Sequence, residues 1–244
     1  MIEVKHLHKA FGRVTAVQDV SFAALDGRIT GLLGPNGAGK TTTLRILYTI
    51  LRPDSGAALV DGFDAATQPA EVQRRIGVLP DNRGLYPRLT AREHVRYFGR
   101  LQGMRGAALE HEIDQLITLL DMRDIAERRV DGFSQGQRVK VALARALVHR
   151  PRNILLDEPT NGLDVMSTRA LRTLIRRLRD EGTCVLFSSH IMQEVAALCD
   201  SIVVIAGGRV AATGTPDELR RATGQASLED AFVAAIGSEE GLML

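Results

Sequence analysis

The stretch Gly34-Pro35-Asn36-Gly37-Ala38-Gly39-Lys40-Thr41 constrains this chain more than any other. It fits the spacing GxxxxGK[ST], in which glycines let the backbone curl so that successive N–H groups point inward at an anion. Before it stands Ile29-Thr30-Gly31-Leu32-Leu33, a short apolar run suited to a strand buried on both faces. After it, Leu44, Ile46, Leu47, Ile50 and Leu51 recur at helical spacing until Pro53-Asp54-Ser55-Gly56 breaks the pattern. A loop held between strand and helix offers the helix's positive N-terminus to the same anion. Lys40 is then placed to reach the β- and γ-phosphates of a nucleotide, and the Thr41 hydroxyl to ligate Mg²⁺. Gly34, Pro35, Asn36, Gly37, Ala38, Gly39 and Thr42 complete the cradle. The competing reading, a glycine turn beside a surface lysine, leaves the flanking strand and helix unexplained.

A second strand carries acid chemistry. Ile154-Leu155-Leu156-Asp157-Glu158 is an apolar run ending in two carboxylates. Strand alternation turns such neighbours to opposite sides. Joined with the phosphate loop, the pair specifies a P-loop NTPase, with Asp157 serving Mg²⁺ and Glu158 polarising the attacking water. Further short apolar runs, Ile76-Gly77-Val78-Leu79 and Val185-Leu186-Phe187, alternate with helical stretches, as in βαβ units on a parallel sheet. The opening segment alternates instead, with Ile2, Val4 and Leu7 and then Val17, Val20 and Phe22 among polar residues. Ile202-Val203-Val204-Ile205 and Arg209-Val210-Ala211-Ala212 flank Gly207-Gly208 and read as a hairpin. From about Thr90 to Val148 the chain turns rich in Arg, Glu, Leu and Ala at helical spacing, which predicts an inserted helical segment.

Composition narrows the function classes. The chain has 244 residues, with Lys and Arg numbering 31 against 29 Asp and Glu. That balance gives no reason to expect nucleic acid as a partner. The N-terminus has no apolar signal core, and no run approaches the roughly 18 apolar residues of a spanning helix. A cytoplasmic protein is expected, held at any membrane through a partner. Cys184 and Cys199 form no CxxC pair, which excludes a zinc site built on one. Cys184 reads as a buried thiol. His6 and His8 share a strand face, but two ligands do not make a metal site, and both are assigned with His94, His111 and His149 to structural roles.

Three further motifs follow the order of the ATP-binding cassette (ABC) ATPases. Phe133-Ser134-Gln135-Gly136-Gln137 resembles their LSGGQ signature, Asn161-Gly162-Leu163-Asp164 their D-loop, and Ser188-Ser189-His190 their switch histidine. The resemblance spans almost the whole chain. It implies an α/β fold with a RecA-like P-loop NTPase core, a parallel sheet, an N-terminal antiparallel β subdomain and an inserted helical subdomain. The expected division of the single cassette, 1–244, is a core of about 1–84 and 151–225, a helical part of about 85–150 and a tail of about 226–244. The resemblance further implies that two cassettes sandwich two ATP molecules head to tail. Ser134, Gln135, Gly136, Gln137 and Asp164 of one copy then act on the ATP of the other. His190 would contact the γ-phosphate and support Glu158.

Phe11 stands where the family stacks an aromatic ring on adenine, and a core Phe is the other reading. Asp81 stands where the family has a glutamine that senses Mg²⁺, and a carboxylate there adds negative charge beside the γ-phosphate. Separate integral membrane subunits are the implied partners, seated near Leu85, Tyr86 and Leu89 unless those residues pack internally. The run Gly77–Glu93 and the tail Ser227–Phe232 resemble the ATPase subunits of bacterial Nat-type sodium exporters and related drug exporters. A soluble ABC ATPase of translation or DNA repair is the alternative. The single cassette and the lack of a long coiled coil or zinc module weigh against it.

Overall fold

The computed structural model describes residues 1–237, so residues 238–244 of the expected tail lie outside the described residues. The chain opens with two antiparallel strands, β1 (Ile2–Phe11) and β2 (Val14–Ala24). Their buried residues do not keep a strict period of two, because Val4 and Leu7 are three apart. A bulge resolves this. Val4 pairs with Phe22 and Leu7 with Val20, and between them His6 takes a left-handed backbone, φ 47°. The extra residue returns Leu7 to the inner face while His6 stays in solvent.

The central strands are buried on both faces. They are β3 (Ile29–Leu33), which feeds α1 (Lys40–Leu47), then β6 (Ile76–Leu79), β7 (Asn153–Asp157), β8 (Cys184–Ser189) and β9 (Ser201–Ala206). Between α1 and β6 lie β4 (Ser55–Val60), β5 (Phe63–Asp64) and α2 (Pro69–Gln73). Strand β10 (Arg209–Gly214) returns antiparallel on β9 through the expected glycine hairpin. Among the described residues the strands form one ten-stranded sheet, ordered β5-β4-β1-β2-β10-β9-β3-β8-β7-β6. The stretch β9-β3-β8-β7-β6 is parallel throughout. Its seam to the antiparallel part is narrow: a parallel pairing of Arg209 with Asp19, and bonds from Gln18 N–H at 2.7 Å and Asp19 N–H at 3.3 Å to Gly208 O.

Alternation along the buried strands divides the core in two. Ile29, Leu33, Ile154, Leu156, Val185 and Phe187 face one cluster; Leu32, Leu155, Cys184 and Leu186 face the other. The second cluster receives α1 through Leu44, Ile46 and Leu47. The first is covered by α3 (Ala91–Leu101), α4 (Gly106–Leu119), α5 (Gln135–Leu147), α6 (Val165–Asp180) and α7 (Met192–Leu198), with α8 (Pro216–Thr223) and α9 (Leu228–Ile236) packed at the β9 and β10 side of the sheet. Helices α3 to α5 fall where the composition shift predicts helices. The apolar residues of α5, from Val139 to Leu147, belong to this cluster, and the helix packs on β6, α3 and α4. Cys184 and Cys199 are free, buried thiols; burial pushes that of Cys184 up to about 12.

Strands β4 and β5 carry no clear sequence signal, since Ser55-Gly56-Ala57-Ala58 lacks the β-branched residues of the other strands. The reason is close approach: a Cβ on Gly56 would meet His6 O at 2.2 Å, at the β1 bulge.

His94 is fully buried on α3 and stacks on Tyr86, with ring centroids 5.6 Å apart. Its Nε2 lies 2.9 Å from the Tyr86 amide and 3.1 Å from the Tyr86 carbonyl oxygen, and accepts from the amide when unprotonated. Burial holds the imidazole below its ordinary value, opposed by the Tyr86 backbone bond and by Glu93, with Arg145 adding to the depression. As pH falls below about 6.5 the unfolded chain therefore takes up the proton first. Stability present at neutral pH is lost as pH falls through the folded value. His149, half-buried and also depressed by desolvation, acts in the same window. Urea unfolding at pH 7.5 and 5.5 should show this loss, and His94→Gln, which still accepts the Tyr86 bond, should reduce it; an unchanged acid loss would place the titration elsewhere.

Candidate functional site

Four parallel strands end at one edge of the sheet: β3 at the phosphate loop, β6 at Pro80-Asp81, β7 at Asp157 and β8 at Ser189. The carboxyl edge of such a sheet is where ligands bind, because loops there diverge and helix N-termini converge. Helix α1 begins directly on the loop. Its N-cap Gly39 has φ 106°, and no side chain caps the helix, which leaves its first N–H groups for an anion. Glycine is required at this turn: a Cβ on Gly34 would meet Ile205 O at 2.2 Å, and one on Gly39 would meet Ala16 O at 2.5 Å.

Lys40 is 5% exposed and lies folded along the loop. Its Nζ donates to Gly34 O at 2.7 Å and Pro35 O at 3.1 Å, and stands 3.8 Å from Glu158 Oε1. Burial pulls the ammonium below its ordinary value, while Glu158 and Asp157 pull it back up. Only a partner of strong negative charge compensates an ammonium held this deep.

Asp157 is 2% exposed. Its place follows from register, because it pairs with Ser188 across β7 and β8. Ser188 Oγ donates to Asp157 Oδ1 at 2.6 Å and accepts from Glu158 N–H at 3.0 Å, so one hydroxyl fixes both acids. Thr41 Oγ1 donates to the same Oδ1 at 3.2 Å. Burial raises the Asp157 carboxyl above its ordinary value, against these two bonds. Its Oδ2 is buried with no partner. An orphaned carboxylate oxygen beside a threonine hydroxyl is a donor set of the hard-oxygen kind that suits Mg²⁺.

The alternation expected to separate Asp157 from Glu158 does not do so. Strand β7 ends at Asp157, and Glu158 takes a left-handed backbone, φ 46°. Such a conformation costs a non-glycine residue about 1–3 kcal/mol and is characteristic of functional sites. It swings the Glu158 carboxylate over the phosphate loop, between Lys40 and His190. His190 Nδ1 lies 2.9 Å from Glu158 Oε2.

One cleft gathers Phe11, Asn36, Gly37, Ala38, Gly39, Lys40, Thr41, Thr42, Asp81, Glu158 and His190. Phe11 is 48% exposed at its rim, which excludes the core reading. Gly34 and Pro35 lie behind Lys40, and Asp157 beneath it. Val14, Thr15, Ala16 and Asn161 also line the cleft, and sequence reasoning assigned none of these to nucleotide. Phe11 and Val14 flank the β1–β2 turn, a signal that could have pointed to Val14 and Thr15.

The signature residues are elsewhere. Ser134 caps α5 in a reciprocal box with Gln137: Gln137 N–H donates to Ser134 Oγ at 3.3 Å and Ser134 N–H to Gln137 Oε1 at 3.0 Å. A Cβ on Gly136 would meet Ser167 Oγ at 2.9 Å, and one on Gly162 would lie 3.5 Å from the Gln135 side chain. Asp164 caps α6 by accepting from Ser167 N–H at 2.7 Å. Ser134, Gln135, Gly162 and Asp164 thus form one exposed surface outside the cleft, while Asn161 of the same loop lines the cleft itself. Val165 and Met166, 79% and 70% exposed, stand beside that surface. Leu85 packs against the core while Tyr86 is half exposed.

Fold and cleft together define a P-loop ATPase. Residues 17–161 match the family model described as ABC transporter. The chain is 48% identical over 224 residues to the ABC transporter ATP-binding protein NatA of Bacillus subtilis, covering 91% of each. It is 37% identical over 218 residues to a Nod factor export ATP-binding protein I of Burkholderia lata, covering 89% of the chain and 72% of the relative. Among solved structures, an ATP-binding subunit of an ABC transporter superposes with TM-score 0.89 at 31% identity, covering 96% of this chain and 99% of that one. An ATP-binding cassette in a dimeric post-hydrolysis state with ADP and Pi superposes with TM-score 0.81 at 25% identity, over 88% and 98%. The chain belongs to the ABC transporter ATP-binding family, and it is an ATPase of that family. Among the described residues no helix is long and apolar enough to cross a membrane.

Proposed function

We propose that this chain hydrolyses ATP at a site completed by a second copy of itself and so drives separate membrane subunits of an exporter. The observation that carries the reading is Glu158, held by its left-handed backbone and the Ser188 hydroxyl between Lys40 and His190. A carboxylate so placed can orient a water for in-line attack on a γ-phosphate. His190 steadies that carboxylate from the solvent side. Lys40 binds the β- and γ-phosphates together with the loop N–H groups, and Phe11 offers its ring to adenine. Thr41 and Asp157 would hold Mg²⁺, with Asp81 facing it across the cleft. When bound, the ion supplies shielding of phosphate charge. Asp81 adds a negative charge to the cleft and so tunes turnover.

The exposed N-terminus of α5 has no nucleotide to meet on its own chain, and a helix start capped by Ser134 favours an anion. Ser134, Gln135, Gly136 and Gln137 therefore act on ATP held by the other copy, and Asp164 joins them through the surface it shares. Binding of ATP then favours the closed pair, and hydrolysis releases it. The segment of about 85–150 carries the signature and moves with the γ-phosphate, relative to the core of about 1–84 and 151–225. The family supports a place at the cytoplasmic face of a membrane, held there through the membrane subunits. Export is favoured because relatives are named for export or drug resistance. Sodium is the finer proposal, resting on the likeness of Gly77–Glu93 and the tail to sodium-exporter subunits. Substrate choice itself belongs to the membrane subunits.

Glu158→Gln keeps the shape of the side chain and removes its basicity. ATP binding should persist while turnover falls at least about a hundredfold, and size-exclusion chromatography with ATP should show a stable dimer. Rapid hydrolysis by this variant would remove Glu158 from its role. The transport reading is checked by recovering the tagged chain from native membranes in mild detergent. A polytopic membrane protein should come with it in stoichiometric amount; ribosomal or DNA-repair proteins in its place would return the soluble alternative.

A further inference from the structure

Two buried side chains have no task in the mechanism above. Thr160 donates its hydroxyl to Glu194 Oε2, and both residues are buried, at 8% and 6% exposure. The other oxygen of Glu194 faces the Arg172 guanidinium of α6 at 3.9 Å. A carboxylate in such a place is costly unless its partners are fixed, and removing one partner is felt strongly.

The positions of the two residues matter more than their burial. Thr160 follows Glu158 in the turn that leads to the D-loop, and Glu194 follows His190 on α7. Each segment is internally stiff. In the first, Asn161 N–H donates to Glu158 O at 3.2 Å and Leu163 N–H to Thr160 O at 3.0 Å. In the second, Ile191 N–H donates to Ser189 Oγ at 3.0 Å and Glu194 N–H to Ile191 O at 3.1 Å. Two side-chain contacts join them: His190 with Glu158 at the solvent side, Thr160 with Glu194 beneath. The upper contact is half open to water; the lower one is not.

We propose that Thr160 and Glu194 are a positioning pair, whose hydrogen bond locks the turn after Glu158 to α7 and thereby sets His190 against Glu158. This rests on the assignment of Glu158 and His190 as the hydrolytic pair. Neither Thr160 nor Glu194 lines the nucleotide cleft, so loss of the lock misaligns the reacting groups without removing a contact to ATP. Misplacement on the scale of an ångström costs up to about a hundredfold in rate. The same lock ties the D-loop, and so the surface offered to the second copy, to the state of His190.

The test is steady-state ATP hydrolysis by the purified full chain, read as separate kcat and KM. Thr160→Val removes the hydroxyl and keeps the shape. Its kcat is expected to fall about tenfold to a hundredfold with KM for ATP within about twofold of wild type. Thr160→Ser, which restores the donor, should recover kcat to within about threefold. Glu194→Gln, whose amide oxygen still accepts, should retain kcat to the same degree. If Thr160→Val does not fold, Thr160→Ala read beside Thr160→Ser takes its place. Wild-type kcat in the valine or alanine variant overturns the proposal, as does equal loss in Thr160→Ser, or a rise of KM in proportion. Persistent turnover in Glu158→Gln would instead overturn the assignment on which the pair depends.

Discussion

The site depends on the register of three neighbouring strands. Strand β7 lies parallel to β8 with Asp157 opposite Ser188, and β8 lies parallel to β3 with Ser189 opposite Leu33. That register places a serine hydroxyl under both acids and brings the phosphate loop to the same edge. It is fixed by burial on two faces, since Leu32, Leu33, Leu155, Leu156, Leu186 and Phe187 have no solvent side to slip toward. A shift by one residue would exchange the two core clusters and separate Asp157 from Ser188. Full burial of one such side chain is worth about 1.5–3 kcal/mol, so the ladder as a whole outweighs the strain held at Glu158.

The proposed site draws on two surfaces of the chain that lie apart except where the D-loop touches the cleft. The phosphate loop, Glu158 and His190 share one cleft; Ser134, Gly162 and Asp164 share another surface. The connection between them is physical. The turn after Glu158 runs through Thr160 into Asn161, which reaches the cleft, and on to Gly162, which packs on Gln135. Helix α5 bears the signature at one end, and its apolar residues join one core cluster with α3, α4 and strand β6. In the proposed mechanism this route of packed and hydrogen-bonded neighbours would carry a change at the γ-phosphate to the surface offered to a second cassette.

Much of this was legible in the sequence, for identifiable reasons. The phosphate loop is read by spacing because its glycines have no substitute: at Gly34 and Gly39 a side chain would strike backbone. The buried strands are read as apolar runs because both faces are covered. The position of Glu158 was not legible, because alternation applies only within a strand and β7 stops one residue earlier. The β1 bulge at His6 and the small-residue strand β4 were hidden by the same mutual contact, as neither has meaning without the other. The Thr160–Glu194 bond joins residues far apart in sequence through a buried contact that no local pattern announces.

The central claim is that a working site takes its phosphate loop from one copy and its signature from another. Two chains, Lys40→Ala and Ser134→Phe, each lack one half and should each hydrolyse ATP negligibly. Mixed in equal amounts, they can form a pair in which one site keeps both an intact Lys40 and an intact Ser134. Recovery of ATP turnover on mixing, rising with the fraction of mixed pairs, is the predicted result. Turnover that stays at the level of the separate variants at every mixing ratio would contradict the account.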